Sequence, residues 1–286
     1  MQNKLKSLFV MLFINAAILL MIYTLVLFYI NGFQFDQLGQ LIISFTIAFL
    51  FIKAMTLHNT ARTSANLWFR TSVILVGFLI NLYGIKIAQL NVMKAVPSAL
   101  LFVGWLLYVF WYSRFGKRES LILKVGAKLP NFDLEDRFHN PINTSSFLGK
   151  PNIFMFYRGN WCPLCMAQIK EIAGQYQELE KRGVNMNLIS PQPHQFTVGL
   201  AKKFDVNFNF LVDVDNNAAK KLGIFHKNGL PAGMQALGYD TDTVMPTIVI
   251  TDKKGTILFA DLTDNYRVRP EPETFFKVLD LELKMT

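Results

Sequence analysis

The hydrophobic pattern divides the chain into two unlike stretches. Residues 8–112 carry Leu, Ile, Phe and Val in long blocks, whereas from about Val125 onward charged and turn residues return between short apolar runs. The first block, 8–30, has no charged residue and exceeds the ~20 residues that a helix needs to cross a hydrocarbon core. Three more follow at 38–57, 67–90 and 96–112, separated by polar segments around Asp36, 59–66 and 91–94. Four membrane-spanning helices are predicted, an all-α transmembrane domain over 1–116. Lys4 and Lys6 resemble the basic start of a signal peptide, but the block outruns an h-region of about 7–15 residues and no clear small-residue cleavage site follows.

The second stretch alternates. After a linker at 117–128, a short strand at 132–134 and a buried strand at 152–157 precede helical spacing over 166–182 that ends at Gly183. Strands at 184–190 and 208–212 alternate with helices at 195–204 and 216–222; a hairpin at 248–260 and a helix at 272–284 close the domain. Residues 129–286 therefore read as an α/β domain with a central mixed sheet flanked by helices.

Charge changes the picture only at the membrane. The formal net charge is +9, but many basic residues flank apolar blocks, where anionic headgroups rather than nucleic acid account for them. If the helices alternate, Lys4, Lys6, Lys53, Arg62, Arg70, Arg114, Lys117 and Arg118 fall on one side, against Lys86 and Lys94 on the other. The positive side is cytoplasmic, so the α/β domain is expected to face the cytoplasm from a multi-pass position in the cell membrane.

The candidate chemistry is concentrated in Trp161-Cys162-Pro163-Leu164-Cys165, which holds the chain's two cysteines between a strand and a helix start. Pro163 suits the first helical position, making Cys162 the cap residue, where unpaired N–H groups and the helix dipole favour a thiolate. Cys165 lies one turn onward, within reach of a mixed disulfide at Cys162. A zinc site usually needs four ligands; there is no second cysteine pair, and His58, His139, His194 and His226 show no clustered spacing. No glycine-rich phosphate loop is present in this half, so no metal, flavin or nucleotide cofactor is expected.

From about Val125 onward the chain resembles the alkyl hydroperoxide reductase/thiol-specific antioxidant branch of thioredoxin-fold proteins, and within it the peroxiredoxin-like proteins. The resemblance rests on Gly126-Ala127-Lys128-Leu129-Pro130-Asn131-Phe132, Phe156-Tyr157-Arg158-Gly159 before Trp161-Cys162-Pro163-x-Cys165, Ile189-Ser190-Pro191, and Tyr266-Arg267-Val268-Arg269-Pro270-Glu271-Pro272. It implies a thioredoxin-like fold and a dithiol cycle in which Cys162 attacks and Cys165 resolves. Trp161, Arg158 and Pro246 would position the substrate, Pro246 through a cis Met245–Pro246 peptide that leaves nearby backbone free to pair with it.

Two features depart from the family pattern. Pro-x-x-x-Thr/Ser-x-x-Cys, counted to Cys162, finds Met155 at its Pro position and Gly159 at its Thr/Ser position, and the arginine at the start of the late strand is replaced by Met245-Pro246-Thr247. Arg158, Arg267 or Arg269 would have to supply the missing cation. Counted this way, the pattern predicts an oxidoreductase that attacks a protein disulfide more readily than a small peroxide, with a cellular thiol reductant reopening its own disulfide. Two alternatives stay open: a dedicated thiol peroxidase with an antioxidant role, and a membrane scaffold whose redoxin-like domain only binds a partner.

Overall fold

A computed structural model of the protein describes residues 2–118 and 120–285. They divide into two compact units.

The first unit comprises Met1–Leu57 and Ser64–Arg114. Its helices are α1 (Gln2–Asn31), α2 (Phe35–Leu57), α3 (Trp68–Ile87) and α4 (Val96–Leu107), the last preceded by a 3₁₀ turn and continued by a π-helical turn to Tyr112. Among the described residues, four helical stretches are long and apolar enough to cross a membrane. Ile43, Ile47, Ile74 and Trp105 are fully buried, while Leu19, Phe69 and Leu100 point outward, as in helices apolar all round. The contact of α2 with α3 is so close that a Cβ on Gly39 would lie 2.3 Å from the backbone nitrogen of Asn81. Small residues permit such approach, and polar side chains fasten it: Asn81 Nδ2 donates to Asp36 O at 2.8 Å.

The second unit comprises His58–Thr63 and Phe115–Thr286. Its first, short segment lies between α2 and α3 in sequence, where the hydrophobic pattern gives no reason to separate it from the flanking helices. In chain order the elements are β1 (Asp133–Asp136), β2 (Pro141–Asn143), β3 (Asn152–Phe156), α5 (Pro163–Ala173), α6 (Tyr176–Lys181), β4 (Asn185–Ser190), α7 (His194–Phe204), β5 (Asn209–Val212), α8 (Asn217–Lys221), β6 (Phe225–His226), β7 (Thr243–Val244), β8 (Thr247–Thr251), β9 (Ile257–Asp261) and α9 (Pro272–Met285).

Seven strands form one sheet in the order β2-β1-β5-β4-β3-β8-β9, and β6 pairs separately with β7. The central strands β5, β4 and β3 are parallel, which requires crossovers, and α5–α6 and α7 supply them. β8 joins β3 antiparallel, Phe154 opposite Val249. Both strands are buried along their whole length, so their near-continuous apolar runs fit interior positions. This is the expected mixed sheet flanked by helices. The helix predicted over 166–182 is instead broken at Gly174 and Gln175, where glycine's low helix propensity lets the chain turn between α5 and α6.

Candidate active site

β3 runs into Tyr157 and Arg158, both buried. Gly159 follows at φ +139°, and a Cβ there would lie 2.7 Å from Trp161 Nε1, so glycine is what lets the indole fold back over the turn. Cys162 closes that turn. Its N–H donates to Gly159 O at 3.1 Å, its carbonyl accepts the Met166 N–H at 3.0 Å, and Pro163 takes the first position of α5.

The backbone thus matches the sequence reading, but the sulfur does not. The Cys162 side chain makes no capping bond to the start of α5. Both cysteines are reduced and buried, with 2% and 0% of Cys162 and Cys165 exposed, so neither thiol faces solvent.

Arg269 lies against both sulfurs and closer to that of Cys165. Reaching in from the loop ahead of α9, its Nη1 and Nη2 each lie 3.5 Å from Cys165 Sγ, while Nη2 is 4.0 Å from Cys162 Sγ. Gln168, three residues beyond Cys165 on α5, accepts from Nη1 at 3.0 Å, and Tyr266 O accepts from Nε at 2.9 Å. These bonds fix the plane of the guanidinium.

Burial opposes an anion at Cys165. The Cys162 thiol donating to it, the Arg269 charge and the Arg158 backbone N–H outweigh that penalty and hold the Cys165 thiol well below its ordinary value. Cys162 moves the other way: its hydrogen bond to Cys165, then burial, then the neighbouring anion keep its proton on. The order of acidities is therefore the reverse of that expected from the helix start, because the Cys162 thiol and then the buried Arg269 cation favour the anion at Cys165.

Residues 125–260 match the AhpC/TSA family. A 110-residue stretch is 30% identical to the chloroplastic peroxiredoxin Q of Sedum lineare, covering 38% of this chain and 59% of that protein. Another, of 103 residues, is 29% identical to peroxiredoxin Bcp of Escherichia coli K12, covering 36% of this chain and 66% of the relative. Over these residues the second unit is similar to peroxiredoxins of the AhpC/TSA family. Among solved structures, the peroxidoxin BcpB of Mycobacterium tuberculosis aligns with 57% of this chain and 99% of its own, at 17% identity and a TM-score of 0.46.

In this peroxiredoxin-like domain Arg158 is engaged with aromatic and carbonyl groups. Its guanidinium lies 4.5 Å from the centre of the Trp161 ring and 5.8 Å from that of Tyr266, and Nη2 donates to Gly229 O. Its charge still favours the anion at Cys162, behind that of Arg269. Arg267 is buried too, but its Nη1 donates to Thr63 Oγ1 at 2.9 Å.

Pro246 requires a correction: the Met245–Pro246 peptide is not cis. Nor is the neighbouring backbone free to hold a substrate. Met245 N–H donates to Ile224 O at 2.8 Å, its carbonyl accepts from Thr247 Oγ1 at 2.8 Å, and Pro246 O accepts from Arg118 Nη1 at 3.1 Å. Pro246 immediately precedes β8, where its missing N–H costs no ladder bond. Arg118 also donates to Thr247 Oγ1, bringing an arginine from the linker to the start of the late strand. Sequence reading missed it because its only signal was a basic residue beside the last apolar block.

A second correction concerns the histidines. Glu135 on β1, His139 in the following turn and His194 at the start of α7 bring ligand atoms within 4.8 Å of one another, although their sequence spacing shows no cluster. His194 Nε2 is 2.8 Å from Glu135 Oε2, and the two imidazoles stack with centroids 3.6 Å apart. Both imidazoles face the same carboxylate oxygen, His139 Nδ1 lying 3.5 Å from Glu135 Oε2.

Proposed function

We propose that this protein is a membrane-anchored thiol peroxidase in which the Cys165 thiolate attacks a small hydroperoxide and Cys162 resolves the product. The observation that carries the reading is the Arg269 fork on Cys165 Sγ. It supplies the cation that the family pattern places at the late strand and that this chain lacks there, and it acts on the second cysteine rather than the first.

Counted back from Cys165, the pattern changes meaning. Cys162 then occupies the Thr/Ser position, three residues before the nucleophile, and Arg158 the Pro position. A thiol stands where the family has a hydroxyl, and like a hydroxyl it donates to the attacking sulfur. The polar group missed when counting from Cys162 is Cys162 itself.

In the first step the Cys165 sulfur bonds to the terminal peroxide oxygen as the O–O bond breaks. The leaving alkoxide takes the Cys162 proton, giving an alcohol, a sulfenic acid at Cys165 and a thiolate at Cys162. Arg269 stabilises the charge developing around the reacting sulfur and oxygens. Cys162 then attacks the Cys165 sulfur, an S–S bond forms and hydroxide leaves. An external thiol reductant returns both sulfurs to the starting state.

Both sulfurs are buried, which favours a small oxidant over a protein disulfide. The four apolar helices support membrane anchoring, and the distribution of lysine and arginine supports a cytoplasmic redox domain.

Dimedone labelling of the reduced full chain after hydrogen peroxide tests the roles. Cys162→Ser should accumulate a labelled sulfenic acid at Cys165, and Cys165→Ser should no longer consume peroxide. Labelling of Cys162 in Cys165→Ser at the wild-type rate would return the attacking role to Cys162.

A further inference from the structure

The segment that carries Arg269 is held by its own turn and also from a distant part of the sequence. Thr63 N–H donates to Arg267 O at 2.8 Å, and Thr63 Oγ1 accepts from Arg267 Nη1 at 2.9 Å. Arg62 Nη2 donates to Pro270 O at 3.3 Å. The same guanidinium grips Glu171 on α5 with both terminal nitrogens, Nη1 to Oε1 at 2.9 Å and Nη2 to Oε2. It also lies 3.9 Å from Glu271.

Cys165, Gln168 and Glu171 recur every three residues and so share one face of α5. Arg269 bridges Cys165 and Gln168, and Gln168 Nε2 reaches Pro270 O at 3.5 Å. Arg62 then bridges Pro270 and Glu171. The chain of contacts along this face is continuous from the reacting sulfur to a residue 103 positions before it in sequence.

We infer that Arg62 and Thr63 are positioning residues for the redox site: the His58–Thr63 segment clasps residues 267–270 against α5 and thereby seats the Arg269 fork on Cys165. Neither residue touches a sulfur. The inference deepens the reading of Cys165 as the attacking thiolate and rests on it. It gives the segment between α2 and α3 a part in the chemistry that the composition of its flanking helices does not suggest.

The test is the pH profile of Cys165 alkylation by iodoacetamide in the reduced full chain, purified in detergent micelles and followed by mass spectrometry of the Cys165 peptide. Arg62→Ala should shift the midpoint upward by about one pH unit, the effect of loosening a close cationic partner. Arg62→Lys should shift it nearly as far, because one ammonium cannot span both Glu171 oxygens and the Pro270 carbonyl. Thr63→Val and Glu171→Gln should each shift it in the same direction, and they carry the readout if Arg62→Ala does not fold. An unchanged midpoint in the folded variants overturns the positioning role. So does a wild-type midpoint in Arg62→Lys beside a shifted one in Arg62→Ala, since that outcome assigns the effect to charge alone. A wild-type chain whose Cys165 titrates like a free thiol overturns instead the reading of Cys165 as the thiolate.

Discussion

The guanidinium of Arg269 straddles the sulfur of Cys165, with both terminal nitrogens 3.5 Å from Sγ. Its orientation is fixed by Gln168 Oε1 and Tyr266 O, so the two donors are aimed before any oxidant arrives. Preorganised donors of this kind typically lose about 10²–10³ in rate when one is removed. Arg269→Ala should therefore lower the rate of Cys165 oxidation by hydrogen peroxide by about that factor in stopped-flow measurements. Arg269→Lys should recover only part of it, having the charge without the fork.

The turn before Cys162 gives a second expectation. Gly159 adopts φ +139° with the Trp161 indole packed where a side chain would begin, and Arg158 stacks on that indole. Gly159→Ala must push the ring away as well as strain the backbone, at a cost of about 1–3 kcal/mol. Thermal unfolding of the full chain should show that loss. Tryptophan fluorescence should become more solvent-exposed in the same variant, because the indole can no longer lie over the turn.

Much of this architecture was legible in the amino-acid pattern. The buried runs of β3, β4 and β8 and the apolar helix blocks are local signals, readable from periodicity. The two cysteines were legible from Pro163 and their spacing. Their order of acidity was not, because it depends on Arg269, 104 residues away from Cys165, and on a hydrogen bond between the thiols. Reading Pro246 as a cis substrate grip failed for a similar reason: Ile224, Thr247 and Arg118 already satisfy that backbone. Glu135, His139 and His194 meet only because the β1–β2 turn and the start of α7 lie side by side in the folded domain.

The proposed membrane orientation rests on charge. Basic residues at Lys4, Lys6, Lys53, Arg62, Arg70, Arg114 and Lys117 outnumber those at Lys86 and Lys94 across an even number of spans. Alkaline phosphatase fused after Thr286 should be inactive, and a fluorescent protein fused there should fold. An active phosphatase would reverse the orientation and expose the dithiol to an oxidising compartment.

The shared proton of the dithiol should also be visible in stability. In the unfolded chain both thiols titrate near about 8.5. In the folded chain Cys165 loses its proton well below that value, and Cys162 keeps its own well above it. Between the lowered Cys165 pKa and about 8.5 the unfolded state binds two thiol protons and the folded state one, so stability rises with pH, at a limiting slope of about 1.4 kcal/mol per unit. Above about 8.5 the unfolded thiols are ionised while the folded pair keeps one proton. Stability then falls as pH rises, until Cys162 is itself deprotonated. The sign follows from the two shifts: the depressed Cys165 pKa stabilises the fold above the unfolded value and is lost toward acid, whereas the raised Cys162 pKa stabilises it below that value and is lost toward alkali. The melting temperature of the reduced full chain, minus that of the Cys162→Ser/Cys165→Ser variant, should therefore peak near pH 8.5. A difference that stays flat up to that pH and then falls would mean that both thiols remain protonated in the folded domain, and that the Arg269 fork does not hold a thiolate.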